Sequence, residues 1–327
     1  MNLRLVPDAT AVAEAGAAAA RAAGGEGLAV RELSEPEDHL RLVAVFDAVW
    51  GRAPEQSLST ELLRVIAFDC GYLAGASVVA GPHGGAEEVA DDGPGDLVAA
   101  SIGLFGVTHE GEPILHSHIT GALAEGRARH AGFVLKQHQR AWCLARGLAT
   151  VQWTYDPLVR RNAYFNAVKL GALPVQYLHD FYGEMTDAIN AGHHSDRFLV
   201  RWDLHSPRAV AAAAGTPATY TAPPGAAAVV HEDADGRPVV DAEVLRAAGS
   251  GDVPAVLVGT PADVERMRVE DGATARSWRA AHRDVVPGLL GSGWRVTGLV
   301  DRSSYLLTPA SLLTPASPTA ATGADPA

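Results

Sequence analysis

The stretch Ile114-Leu-His-Ser-His-Ile-Thr-Gly-Ala-Leu-Ala-Glu-Gly-Arg-Ala-Arg-His-Ala-Gly132 decides how the chain reads. Ile114 to Leu123 is a β-like run, and it enters a short loop of small and basic residues, Arg127 to Gly132. The clearest helix of the chain, Arg129 to Arg146, starts at that loop, with Leu135, His138, Ala141, Trp142 and Ala145 on one stripe at spacings of three and four. A strand, a small-residue loop and a helix start together make an anion site. The first backbone N–H groups of a helix lack internal partners, and the aligned peptide dipoles place about half a positive charge there. Arg127 and Arg129 add two donors, a geometry suited to a diphosphate.

Working outward, Thr150–Tyr155 reads as a strand ended by Asp156-Pro157, and Asn162–Leu170 as a helix closed by Gly171. Phe198–Leu204 alternates like a strand. Upstream, Leu28 opens a short strand, and Ser34-Glu-Pro-Glu reads as the start of a helix with the stripe Leu42, Val43, Phe46, Val49 and Trp50. Thr60–Asp69 reads as a second helix. Gly71–Ala80 and Asp96–Val107 are β-like, and a Gly/Asp-rich loop separates them.

The segment Arg127-x-x-His130-x-Gly132 resembles the acyl-CoA-binding motif of the GNAT superfamily of N-acetyltransferases, Arg/Gln-x-x-Gly-x-Gly/Ala. Thr150 to Pro157 resembles the next strand of that superfamily, and Arg161 to Ala172 the helix after it. The phrases LHSHITG, DPLVRRNAYFN, KLGA and DFYGEM with DAIN are similar to a bacterial branch carrying a C-terminal extension. The resemblance covers about half the chain. It implies an α/β protein with the GNAT (acyl-CoA N-acyltransferase) fold, a mixed and mostly antiparallel sheet, plus a smaller C-terminal α+β region.

In such proteins the strand before the loop splays from the next one, and the pantetheine arm enters between them. By position, the resemblance implies that Ile119, Thr120 and Gly121 offer backbone groups to pantetheine. Arg127, Ala128, Arg129, Ala131, Gly132 and Phe133 would wrap the pyrophosphate, and Asn162 and Asn166 would contact the cofactor from the second helix. Two positions depart from the pattern. His130 stands where the motif has glycine, and Ala167 where many members carry a proton-donating tyrosine.

The expected organisation is a loosely attached N-terminal segment (1–27), the acyltransferase domain (28–205) and a Pro/Ala/Thr/Gly-rich linker (206–227). A C-terminal α+β region (228–308) packed on the core and a disordered tail (309–327) complete it. Within 228–308 the order of strand, helix and hairpin echoes the second half of a GNAT fold, and Pro287-Gly288 is read as the end of a helix begun at Thr274.

Composition narrows the function. Of 327 residues 47% are hydrophobic and 20% charged, as in globular domains. The net charge, 26 − 38 = −12, argues against duplex nucleic acid as a partner. No run approaches the roughly 20 apolar residues of a membrane span. Cys70 and Cys143 form no C-x-x-C, which argues against a zinc site and fits a reducing compartment. Asp8, Glu14 and Arg21 interrupt any signal-like run, so a cytoplasmic protein is expected.

Acyl transfer to an amine needs a base for the ammonium proton and donors that polarise the thioester carbonyl. The candidates are His116, His118, Asp156 and Glu184, with Tyr182 and His118 as proton donors to the leaving thiolate. His116 and His118 also look like half of a metal site, but no third ligand is evident, so no metal is expected. The expected activity is transfer from acetyl-CoA, or another acyl-CoA, to a small-molecule amine by direct attack in a ternary complex. The alternatives are a non-catalytic acyl-CoA-binding or interaction protein, and acyl-CoA hydrolysis or decarboxylation. Assembly as a homodimer is left open.

Overall fold

A computed structural model describes residues 5–51, 58–69, 71–79, 96–183 and 194–313. Helix α1 (Ala9–Gly25) starts at Asp8, whose carboxylate accepts from the Thr10 and Ala11 amides. It is packed rather than loose. Its alanines form a face that approaches a later helix closely, burying Ala15 and Ala18. The expectation of a loosely attached N-terminus missed this because an alanine-rich face gives little hydrophobic contrast.

Strand β1 (Leu28–Glu32), helices α2 (Pro36–Trp50) and α3 (Thr60–Phe68), and strands β2 (Tyr72–Val78), β3 (Leu97–Val107) and β4 (Pro113–Ala122) follow. The short α4 (Ala124–Ala128) leads to α5 (Ala131–Ala145), then β5 (Thr150–Tyr155). Helix α6 (Arg160–Tyr164) continues as a π-helical turn over Phe165–Leu170 and stops at Gly171. Gly171 has φ +68, and a Cβ there would lie 2.8 Å from the Arg208 carbonyl, so glycine is required twice over. β6 (Leu173–Leu178) and β7 (Arg197–Asp203) complete a seven-stranded sheet of order β1-β2-β3-β4-β5-β7-β6.

Every neighbouring pair in this sheet is antiparallel except β4 and β5. Those two parallel strands share only the pairs Leu115↔Val151 and His116↔Gln152, and then separate. Opposite β3, the register of β4 jumps from Gly103↔Ser117 to Ile102↔Ile119, which leaves His118 as a β-bulge. The sheet is therefore mixed and mostly antiparallel, with an opening at its centre. Helices α2 and α3 cover one face through Leu42, Phe46 and Leu63. α1, α5 and α6 cover the other, over Val134, Leu135, Trp153 and Trp202.

The presumed linker begins as helix α7 (Pro207–Ala213), capped by Ser206, with Ala209 and Ala212 buried. Its small apolar residues serve packing, which composition alone read as absence of structure. Then come β8 (Ala227–Glu232), β9 (Pro238–Val240), α8 (Ala242–Ser250), β10 (Val256–Gly259), α9 (Val264–Glu270), α10 (Gly272–Gly291), β11 (Trp294–Val300) and β12 (Ser304–Pro309). Helix α10 runs through Pro287 instead of ending there, because burial of Val286 and Leu289 holds its last turns in place.

The second sheet has the order β11-β12-β10-β8-β9. β8 and β10 are parallel, and β10–β12 and β12–β11 are antiparallel. The run β8-β10-β12-β11 thus repeats, in order and direction, the run β4-β5-β7-β6 of the first sheet. The C-terminal region is a second copy of a half-sheet, and one core cluster spans both sheets, from Trp153 and Phe198 to Trp278 and Tyr305. Residues 314–327, most of the expected disordered tail, lie outside the described residues.

Candidate functional site

The anion loop lies between β4 and α5. A Cβ on Gly126 would overlap the Val98 carbonyl, so only glycine lets α4 lie against β3. His130, the residue before α5, adopts φ +52, and no side chain caps the helix. The start of α5 therefore keeps amides available to an anion. At Gly132 an added Cβ would meet nothing within 4 Å, so the first turn opens to free space. Arg127 is anchored by one donation to the Ala122 carbonyl at 2.9 Å. Arg129 donates to the Glu26 carbonyl at 3.1 Å. Ala131 is buried, Phe133 packs against the core and Ala128 is exposed, so Ala131 and Phe133 shape the loop by packing.

The left-handed backbone at His130 is the physical reason a glycine suits this position. The imidazole itself lies at the surface, 3.0 Å from a Glu26 carboxylate oxygen at the end of α1. An exposed contact of this kind contributes little. His130→Gly should therefore raise stability by up to about 1 kcal/mol, seen as a higher denaturation midpoint, and leave CoA affinity intact. Loss of CoA binding in the folded variant would make His130 itself a ligand.

Beyond the loop, the opening is lined on β4 by Ser117, His118, Ile119, Thr120 and Gly121. The Thr120 hydroxyl pairs with Ser101 at 2.8 Å, and Ile119 packs with the α2/α3 core. A Cβ on Gly121 would come within 2.9 Å of the Trp50 ring, so close packing holds that position at glycine. A bulge leaves its extra residue out of the ladder, and this one sits where the strands part.

On the α2/α3 face stand His116, His118 and Thr154. The His116 and His118 ring centres are 6.3 Å apart. Burial, with His118 and Lys136 nearby, lowers the pKa of His116. The Tyr182 hydroxyl reaches Thr154 Oγ1 at 2.9 Å, and its amide donates to Ser195 at 3.0 Å. Sequence reading nominated Tyr182 and His118 separately; the fold ties Tyr182 to β5 through Thr154 and sets His118 at the bulge of β4. Among the described residues, no group of three or more His, Cys, Asp or Glu side chains is placed to hold a metal.

Asp156 takes a different part. It is buried at the end of β5, where it receives Arg279 at 2.7 Å, the Arg268 guanidinium, and the Leu158 amide at 2.9 Å. Burial alone would raise its pKa, but Arg279, Arg268 and that amide outweigh it and hold the carboxyl at about 2. A carboxylate stabilised in this way has little affinity for a proton and is occupied by two guanidiniums, so Asp156 is an anchor for α9 and α10 and unsuited to act as a base. Glu184 lies outside the described residues.

The second helix also differs from expectation. Asn166 is buried and accepts from the Trp153 indole at 3.2 Å, so it braces β5. Asn162 stands half-buried on the first turn. Ala167 is fully buried on the α5 side of the sheet, opposite the face of Tyr182. Tyr182 therefore does not replace the family tyrosine by position.

Sequence reading missed Lys136. It is buried on α5, and its ammonium donates to Ser117 Oγ at 2.7 Å and Gln139 Oε1 at 3.1 Å, 4.0 Å from the centre of the Trp153 ring. The signal was a lysine one position from the apolar stripe of α5, in a chain with only two lysines.

No protein-family profile and no curated protein matches the chain. Solved structures do. An N-acetyltransferase from Staphylococcus aureus matches at 12% identity, over 54% of this chain and 98% of its own, with a TM-score of 0.40. An acetyltransferase of the GNAT family from Streptococcus pneumoniae matches at 14%, over 53% and 98%, with 0.39. An aminoglycoside acetyltransferase from an uncultured soil metagenomic sample, in complex with sisomicin, matches at 12%, over 41% and 80%, with 0.33. These scores are low, so the weight of the functional reading stays on the strand order, the bulge and the loop.

Proposed function

We propose that the chain is an acyl-CoA-dependent N-acyltransferase of the GNAT type, with acetyl-CoA as default donor and a small amine as acceptor. One observation carries this reading. The sheet opens between the parallel strands β4 and β5 at a bulge, beside an uncapped helix start preceded in the loop by Arg127 and Arg129. The diphosphate of CoA suits the amides of α5 and these guanidiniums. The pantetheine arm suits the gap between the strands, and the interrupted ladder at His118 supplies backbone groups for the thioester carbonyl.

In the reaction the amine nitrogen bonds to the acyl carbon, the C–S bond breaks, and its electron pair stays on sulfur. His118 takes the proton released by the amine. The Tyr182 hydroxyl, tied to Thr154, orients the incoming amine on the same face. The buried Ala167, which offers no acid, favours one second reading, an acyl-CoA-binding protein without turnover.

Calorimetry with CoA and thiol release from acetyl-CoA, with and without a panel of amines, separate these readings. Arg127→Ala and Gly132→Glu should each weaken CoA binding at least about tenfold, or 1.4 kcal/mol. The second variant is informative because open space at Gly132 lets the fold survive a carboxylate aimed at the anion site. Unchanged affinity in both removes the site. Amine-dependent release supports the transferase, amine-independent release a hydrolase, and binding without release the second reading.

A further inference from the structure

The helix that starts at the anion loop also carries an ammonium to the point where the sheet opens. Ser117 follows the last paired residue of β4, and Trp153 follows the last paired residue of β5. Lys136 Nζ touches both, at 2.7 Å from the Ser117 hydroxyl and 4.0 Å from the Trp153 ring centre. It stands at the vertex of the opening. Its remaining partner is the Gln139 side-chain carbonyl at 3.1 Å. All three partners are neutral, and among the described residues no carboxylate is paired with it.

An unpaired ammonium in a core is costly, and an apolar side chain of similar length would fill the same volume at lower cost. Packing therefore does not explain a lysine here. Burial brings its pKa down to about 7, with the Cys143 thiol acting weakly the other way, so the amine can hold or release a proton near neutrality. His116 on β4 is the other titratable group that feels its charge. Ala167 lies on the same side of the sheet, next to Asn166, which holds the Trp153 indole. The fold thus lacks an acid at Ala167 and carries one on α5, over the same Trp153 ring whose indole Asn166 holds.

We propose that Lys136 is the proton donor to the CoA thiolate leaving group, acting at the vertex of the β4–β5 opening. This rests on the acyl-CoA reading above. As the C–S bond breaks, the Lys136 ammonium gives one proton to the sulfur and becomes a neutral amine. Solvent reprotonates it after CoA departs, and the proton taken by His118 returns to solvent, so the cycle balances.

The test follows Lys136 directly. With lysine labelled at the ε-carbon, NMR of the full chain shows two lysine signals, assigned with Lys169→Arg. CoA should shift the titration of Lys136 upward by about one pH unit, as a neighbouring thiolate favours the ammonium, and desulfo-CoA should not. In parallel, Lys136→Met and Lys136→Arg should each lower kcat by roughly 10²–10⁴ at unchanged CoA affinity. Arginine keeps the charge but does not surrender a proton. If CoA and desulfo-CoA bind equally and move Lys136 alike, or if arginine restores kcat, the donor role is overturned. Failure of the wild-type chain to bind CoA in calorimetry is a separate outcome, which overturns the acyl-CoA reading and this role with it.

Discussion

Asp156→Ala should destabilise the protein by about 3–5 kcal/mol, the cost of removing one partner from a buried ion cluster. The substitution leaves Arg268 and Arg279 buried without their carboxylate and deprives the Leu158 amide of its acceptor. The loss falls at the junction between the sheets. There the Tyr155 and Tyr305 hydroxyls meet at 3.0 Å, Tyr305 donates to the Pro157 carbonyl at 2.8 Å, and Arg161 pairs with Glu265. Urea unfolding measures it, and a change below about 1 kcal/mol would show that the cluster does not hold α9 and α10.

The same residue sets a pH dependence. Its carboxyl is held at about 2, below the ordinary 3.8, so the folded state favours the ionised form. The resulting stability is fully present above the unfolded value and is lost as pH falls through roughly 4 toward 2. Asp156→Ala should therefore lose less stability than the wild type over that window. Asp196, which accepts from Tyr177 within the first sheet and from Arg283 of α10 across the junction, is shifted in the same direction and should add to the acid sensitivity of the wild type.

The other large effect is expected at the end of the opening proposed to hold the thioester. His118→Ala should lower kcat by roughly 10²–10⁴ and leave CoA affinity unchanged, as for removal of a general base. The limb of the pH–rate profile set by its imidazole should disappear with it. Tyr182→Phe should act mainly on the KM for the amine, because its hydroxyl is tied to Thr154 on the face proposed for the acceptor. Near-normal kcat in the His118 variant would place the base elsewhere on that face, with His116 the next residue to test.

Most elements of the first sheet were legible because each leaves a local mark, whereas the edge strand β6, interrupted by Pro174, was not read. The stripes of α2 and α5 and the glycine ending the helix after β5 are signals within a few residues. The loop from Arg127 to Gly132 left a mark of the same kind, since the features that suggest an anion site at a helix start are consecutive in sequence. The roles of Asp156, Asn166 and Lys136 were not legible. Each depends on a partner on another element: Arg279 for Asp156, Trp153 for Asn166, Ser117 for Lys136.

By itself, then, the sequence indicated most strands and helices of the first sheet, a loop with the pattern of an anion site, and that His130 and Ala167 depart from the pattern of the superfamily it resembles. Only the tertiary structure decided that Asp156 is an anchor, that α1 packs on α5, and that the C-terminal region repeats the half-sheet β4-β5-β7-β6. It also decided that His118 is a bulge and that Lys136 stands at the vertex of the opening. The reason is physical. Propensity and capping act over one or two turns of chain, whereas the charge state of a buried group and the parting of two strands depend on neighbours that only folding brings together.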